Sequence, residues 1–230
     1  MVAKNTGQDA VSVRPGHIRI NRLMKQQVFM EKYKAILEKY LPADTVEPVI
    51  SYLQQYKVHL RISQGRTTKL GDYRPPGKDR GHQISVNHDL NPYAFLITLI
   101  HEFAHLIVWE KYRNSVKPHG KEWKETYREL MQPFTENGTF PKEILEVLKS
   151  YLSKSYASSN TDLQLSRVLQ QYDKKDVLTL EQLDEGTLFR LPNGRRFKKG
   201  PLLRKRYRCP SIDNKRIYLV NPLAEVVRLD

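Results

Sequence analysis

Three residues with chemical potential sit in the most apolar stretch of the sequence: His101, Glu102 and His105, surrounded by Phe95, Leu96, Ile97, Leu99, Ile100, Phe103, Ala104, Leu106 and Ile107. Asn91 and Pro92 open this stretch in the manner of a helix start, and it reads as a helix to about Trp109, apolar on every side. Burying a carboxylate and two imidazoles is costly unless they are paired or bound to a metal, and no Lys or Arg lies within the helix to neutralise the acid. A divalent cation removes the conflict. Residues four apart on a helix face the same way, so His101 and His105 can both reach one ion at about 2.0–2.1 Å. Glu102 then stands beside the ion, where it can take a proton from a metal-activated water and pass it to a leaving amine. This is the logic of the H-E-x-x-H motif, whose reaction is hydrolysis of a peptide bond.

A catalytic zinc needs a third protein ligand and an open fourth position. A metzincin would place glycine and histidine three and six residues after His105, where Val108 and Lys111 stand, so that class is excluded. Downstream, His119, Glu122, Glu125 and Glu129 are available. His119 is the preferred ligand, because it lies just ahead of Gly120 at the start of the next helix and a short return brings it over the motif face. His82 and His88 flank a strand near the motif helix and suit surface or turn roles better than ligation.

The run Asn91-Pro-Tyr-Ala-Phe-Leu-Ile-Thr-Leu-Ile-His-Glu-Phe-Ala-His105, followed by His119-Gly120-Lys-Glu-Trp123, resembles the SprT-like metallopeptidases, which are related to the Spartan proteases. The likeness spans roughly residues 20 to 153, with two separated motifs in the right order. It implies one zinc ion on His101, His105 and His119, Glu102 as catalytic base, and protein substrates held on or crosslinked to DNA. It also implies that the strand His82–Asn87 edges the cleft and can pair with an extended substrate. Many SprT-like proteins end in a zinc ribbon built from two cysteine pairs. Here Cys209 is alone, so ligand count excludes a structural zinc in the tail.

The elements that must position these residues follow from periodicity. Leu23, Met30, Tyr33, Leu37 and Tyr40 recur at helical spacing up to Pro42, and Val46, Val49, Ile50 and Leu53 make a second stripe that Asp44 or Thr45 can cap. Val58, Leu60 and Ile62 alternate as in a strand, as do Ile84 and Val86, with glycines and prolines between; a small antiparallel sheet is the expected assignment. Helices are expected over Lys121–Met131, Pro141–Leu152 and Leu163–Tyr172, with a Ser- and Asn-rich boundary at Ser153–Asn160. Short strands around turns at Pro192-Asn193-Gly194 and Asp213-Asn214 complete the chain.

The charge balance, 39 Lys and Arg against 25 Asp and Glu, gives a net +14 and favours polyanionic partners. From Thr187 to Asp230 twelve Lys or Arg face three acids, so the excess is concentrated in the tail. Arg195, Arg196, Lys198 and Lys199 cluster beside Phe197, and alternation puts Arg204, Arg206 and Arg208 on one strand face opposite Leu203, Tyr207 and Cys209. Such a stripe can follow a phosphate backbone, with Phe197 or Tyr218 stacking on bases. A single cysteine, the lack of a signal-peptide pattern and an apolar run, Tyr93–Ile100, far short of a membrane span point to the cytoplasm without a membrane partner.

The expected whole is an α+β protein. A flexible arm (1–20) precedes a helical zincin-type SprT-like domain with a small antiparallel sheet (21–153), a linker with a connecting helix (154–182) and a basic, mostly β module (183–230). The favoured function is zinc endopeptidase action on protein substrates. Two other readings stand beside it: a nucleic-acid-binding protein with a structural or vestigial zinc site, and a zinc hydrolase of a non-protein amide. Sequence leaves oligomeric state open.

Overall fold

The computed structural model describes residues 28, 31–66, 69–154 and 163–229. The arm at 1–20, Leu23 and Met30, and residues 155–160 of the Ser/Asn-rich boundary lie outside them. The described chain is α+β, built on two separate buried clusters: one drawn from Leu37 to Leu169, the other from Leu180 to Val226.

Helix α1 (31–37) ends before Pro42, and a 3-10 turn leads into α2 (Val46–Gln55), whose Val46, Val49, Ile50 and Leu53 face the core. Neither expected cap forms in the expected way. Thr45 occupies the N-cap position but its hydroxyl donates back to the Pro42 carbonyl, 2.8 Å, while the Asp44 carboxylate accepts from Thr139.

Three strands follow: β1 (His59–Ser63), β2 (Gly71–Arg74) and β3 (Gln83–Asn87). Their order is β1-β3-β2, with β1 parallel to β3 and β2 antiparallel to it. The sheet is therefore mixed rather than antiparallel. Strand β3 is also its centre, so both backbone edges of His82–Asn87 are turned toward neighbours and the expected pairing with a substrate has no free edge to use. The strand beside the motif helix with an open side is β2.

Helix α3 (Pro92–Tyr112) runs three residues past its expected end. The Asn91 side-chain oxygen accepts from the Ala94 N–H at 3.0 Å, and Pro92 fills the first turn, where its missing N–H costs nothing. By length and composition this helix could cross a membrane, yet 67% of its most apolar window is buried inside the fold, with α4 and the sheet packed against it. It packs as a core helix. Helices α4 (Lys121–Glu136), α5 (Lys142–Lys154) and α6 (Leu163–Gln170) complete the cluster; α6 supplies Leu165 and Leu169, so it is an integral part of this core.

The second cluster lies between two three-stranded sheets. One has the order β5 (Arg196–Lys198), β4 (Leu188–Arg190), β9 (Val227–Leu229); the other has β6 (Leu202–Leu203), β7 (Arg206–Pro210), β8 (Ile217–Val220). Phe189 and Phe197 stack at 5.6 Å between ring centres, with Cys209 and Val220 beside them in the core.

Candidate metal centre

His101 and His105, one turn apart on α3, direct their Nε2 atoms to a common point, 3.2 Å from each other. His119 completes the triangle, its Nε2 2.9 Å from that of His105 and 3.1 Å from that of His101. The loop achieves this by local contortion. His119 takes a left-handed backbone, φ 57°, and Gly120 follows because a Cβ there would stand 2.9 Å from the Lys117 carbonyl. Gly120 then starts α4, and three residues on, Trp123 lies under all three imidazoles, its ring centre 4.6 Å from those of His101 and His119 and 5.3 Å from that of His105. Trp123 is itself buried.

Glu102, next to His101 in the chain, lies against β2. It is 7% exposed, and the Tyr73 backbone N–H donates to its carboxylate. The approach is so close that only glycine fits opposite: a Cβ on Gly71 would fall 2.5 Å from Glu102 Oε1. Burial, and secondarily the Asp72 carboxylate, push the Glu102 carboxyl up to about 8, against the pull of the Tyr73 N–H and of Lys69 and Arg66. Burial and the neighbouring imidazoles push His101 down to about 2, and burial with His119 pushes His105 down to about 4. His119 is also lowered, by burial and by Lys124. All three rings are thus held neutral, the state in which an imidazole offers a lone pair.

The donor set fits a cation. Three nitrogens each about 2.0–2.1 Å from one tetrahedral ion must stand about 3.3 Å apart, and the triangle measured here has sides of 2.9–3.2 Å. Among the described residues His101, His105 and His119 are the group whose ligand atoms converge in this way. The glutamates considered as third ligands do not join it: Glu125 is exposed and pairs with Lys121 at 3.9 Å, and Glu122 and Glu129 stay outside the cluster. His82 and His88 lie elsewhere. His82 bridges Tyr73 Oη, 2.9 Å, and Glu110, 3.0 Å, fastening β2 to the end of α3, while His88 meets the Ser63 carbonyl at 3.2 Å. Tyr127 is fully buried behind Trp123, stacked on it at 4.9 Å, and Arg128 donates to the Leu152 carbonyl at 3.0 Å.

What the sequence did not disclose is the contribution of β2. Gly71, Asp72 and Tyr73 shape the surroundings of Glu102 across some thirty residues of chain, and a Gly-Asp-Tyr run has no local signature of that role.

The tail residues expected on a nucleic-acid face do not share one fate. Lys199 is buried at 5% exposure; its ammonium donates to the carbonyls of Leu183 and of Glu181 (3.2 Å) and lies 4.2 Å from the Tyr207 ring centre. It belongs to the core, a correction to its expected place on the surface. Phe197 is 1% exposed and likewise cannot stack on a base. Tyr218 is half-buried under the Arg195 guanidinium, 4.2 Å from its ring centre. Arg196 is held by Asp213 at 2.7 Å. Lys198, Arg204, Arg206 and Arg208 are exposed, but Arg204 sits in the turn between β6 and β7 rather than on a strand face.

Two histidines one turn apart on α3, a third from the loop just before α4 and a buried carboxylate against β2 suit a metallopeptidase-like domain. Residues 41–144 match the SprT-like family. Comparisons with curated proteins and with solved structures gave no match.

Proposed function

We propose that this protein is a zinc-dependent endopeptidase. The observation that carries the reading is the convergence of three neutral Nε2 donors within 3.2 Å of one another, with a buried carboxylate one residue from the first of them. His101, His105 and His119 would hold the ion, which supplies a Lewis acid able to lower the pKa of water and polarise a carbonyl. Glu102 is placed to take the proton of the attacking water and to deliver it to the leaving amine. Trp123 excludes water from beneath the imidazoles and fixes their orientation. The resemblance and the net charge of +14 support protein substrates held on or near DNA.

Glu102→Gln tests the assignment. It keeps the shape of the side chain but removes the base, so cleavage of a broad peptide library should fall by roughly 10²–10⁴-fold while bound zinc, read by elemental analysis, stays at one ion per chain. His119→Ala should instead lower metal affinity. Wild-type protein that takes up no metal, or a Glu102→Gln variant that cleaves normally, would refute the proposal. Cleavage confined to small non-peptide amides would favour the amide-hydrolase alternative.

A further inference from the structure

The outer face of the β6-β7-β8 sheet combines features that the peptidase reading leaves unused. Register pairs Leu203 with Arg206 and Arg208 with Leu219, so these side chains, and Ile217 two residues before Leu219, stand on the side turned away from the core. The aliphatic members are far more exposed than a folded module requires: Leu203 47%, Ile217 51% and Leu219 56%. Between them Arg206 and Arg208 are exposed, and no ion-pair partner for either is found among the described residues.

The backbone adds a direction. Strand β8 pairs with β7 alone and forms the edge of its sheet. The Ser211 N–H donates to the Arg216 carbonyl at 2.8 Å, which marks Ser211 and Arg216 as a hydrogen-bonded pair. In an antiparallel ladder such pairs alternate, so the N–H and C=O groups of Ile217 and Leu219 point away from β7 to the open edge. The residues with bare aliphatic side chains are thus also those with unpaired backbone groups. An edge of this kind invites another strand.

We propose that the open edge of β8 docks an extended acidic segment of a partner protein, added as a further strand. Its apolar residues would lie beside Ile217 and Leu219, and carboxylates on the same face of the added strand would reach across β8 to Arg206 and Arg208. Charge selects an acidic partner, and side-chain type separates a peptide from a nucleic acid. A single-stranded nucleic acid needs aromatic platforms. Here the outward positions are aliphatic, whereas Phe189 and Phe197 are packed inside and Tyr218 lies under Arg195.

The test uses the full chain and a fluorescent synthetic peptide of repeating Val-Ser-Glu-Ser, which puts valine and glutamate on one face of a strand, with binding read by anisotropy in wild-type and Glu102→Gln protein so that docking is separated from turnover. Saturable binding is expected in both. It should weaken at least tenfold in Ile217→Lys/Leu219→Lys, and in Arg206→Glu/Arg208→Glu, with the thermal midpoint of each variant close to wild type. The second pair keeps the test decisive if the first fails to fold. Absent binding, or equal binding by the variants, overturns the proposal. Preference for a single-stranded oligonucleotide that the same variants abolish would replace it with a nucleic-acid site. Concentration-dependent dimerisation abolished by the lysine pair would show that the occupant is a second copy of this chain.

Discussion

Each of the two buried clusters contains ionisable side chains, and the two treat them in opposite ways. Around α3 the three imidazoles turn their Nε2 atoms to one common point, and among the described residues no other ligand atom joins that cluster. In the C-terminal sheets the Lys199 ammonium is answered on each side by the Glu181 and Leu183 carbonyls and the Tyr207 ring. A buried polar group completed by its own chain is architecture; a set that converges and remains incomplete is a place for something to bind. The same logic separates the two carboxylate-rich environments: Asp213 is matched to Arg196, while Glu102 is buried and carries a raised proton affinity.

The sharpest way to break that contrast is to remove the wall of the first site. Trp123→Ala should cost about 3–5 kcal/mol of stability through the cavity it leaves, and it should also loosen metal binding, seen as a higher dissociation constant in zinc titration. If affinity were unchanged, the indole would be mere filling. Next in size is Gly71→Ala, which forces Glu102 or β2 to shift because 2.5 Å is well inside contact distance. Turnover should fall about 10- to 100-fold with zinc content intact, since a displacement of about 1 Å at a reacting group can cost that much. Lys199→Met probes the other side. It leaves the Glu181 and Leu183 carbonyls without their donor and should cost about 1–3 kcal/mol, visible in denaturant unfolding of the full chain, while peptide cleavage per folded molecule is unaltered.

The last test is a pH dependence. In metal-free protein, histidines lowered from 6.5 bind fewer protons folded than unfolded, so their stabilisation is complete above 6.5 and is lost as pH falls through 6.5 toward their folded values. Glu102, raised from 4.5 to about 8, contributes stability that is complete below 4.5 and is lost as pH rises toward 8. Two histidines outweigh one carboxyl between 4.5 and 6.5, and above 6.5 the carboxyl acts alone. Metal-free stability, followed by denaturant midpoint, should therefore peak near pH 6.5. Zinc should abolish the alkaline decline, because a cation beside Glu102 favours its ionised form.

How much of this could be read beforehand depended on range along the chain. The His101–His105 pair was legible because helical spacing alone brings them together, and His119 because the chain returns within a short loop to a glycine that opens the next helix. The α+β class and nearly every helix followed from periodicity. Strand order did not. Alternation at Val58–Ile62 and at Ile84–Val86 marks strands but is indifferent to whether they run parallel, and that single fact moved β3 from the margin to the middle of its sheet. Lys199 and Phe197 failed for a related reason: they are adjacent to exposed basic residues in sequence, and only the pairing of β5 with β4 decides that Phe197 points inward. Tertiary context likewise overrode the expected caps at Asp44 and Thr45, whose side chains found other partners.

Asn91 does two jobs at once. Its oxygen receives the first turn of α3, and its amide nitrogen donates to the Leu169 carbonyl at 2.8 Å and to Asp173 at 2.7 Å, where the chain leaves α6 for the second cluster. One side chain is thus a latch shared by the root of the reactive helix and the departure point of the C-terminal body. That one amide joins stretches of chain 78 and 82 residues apart.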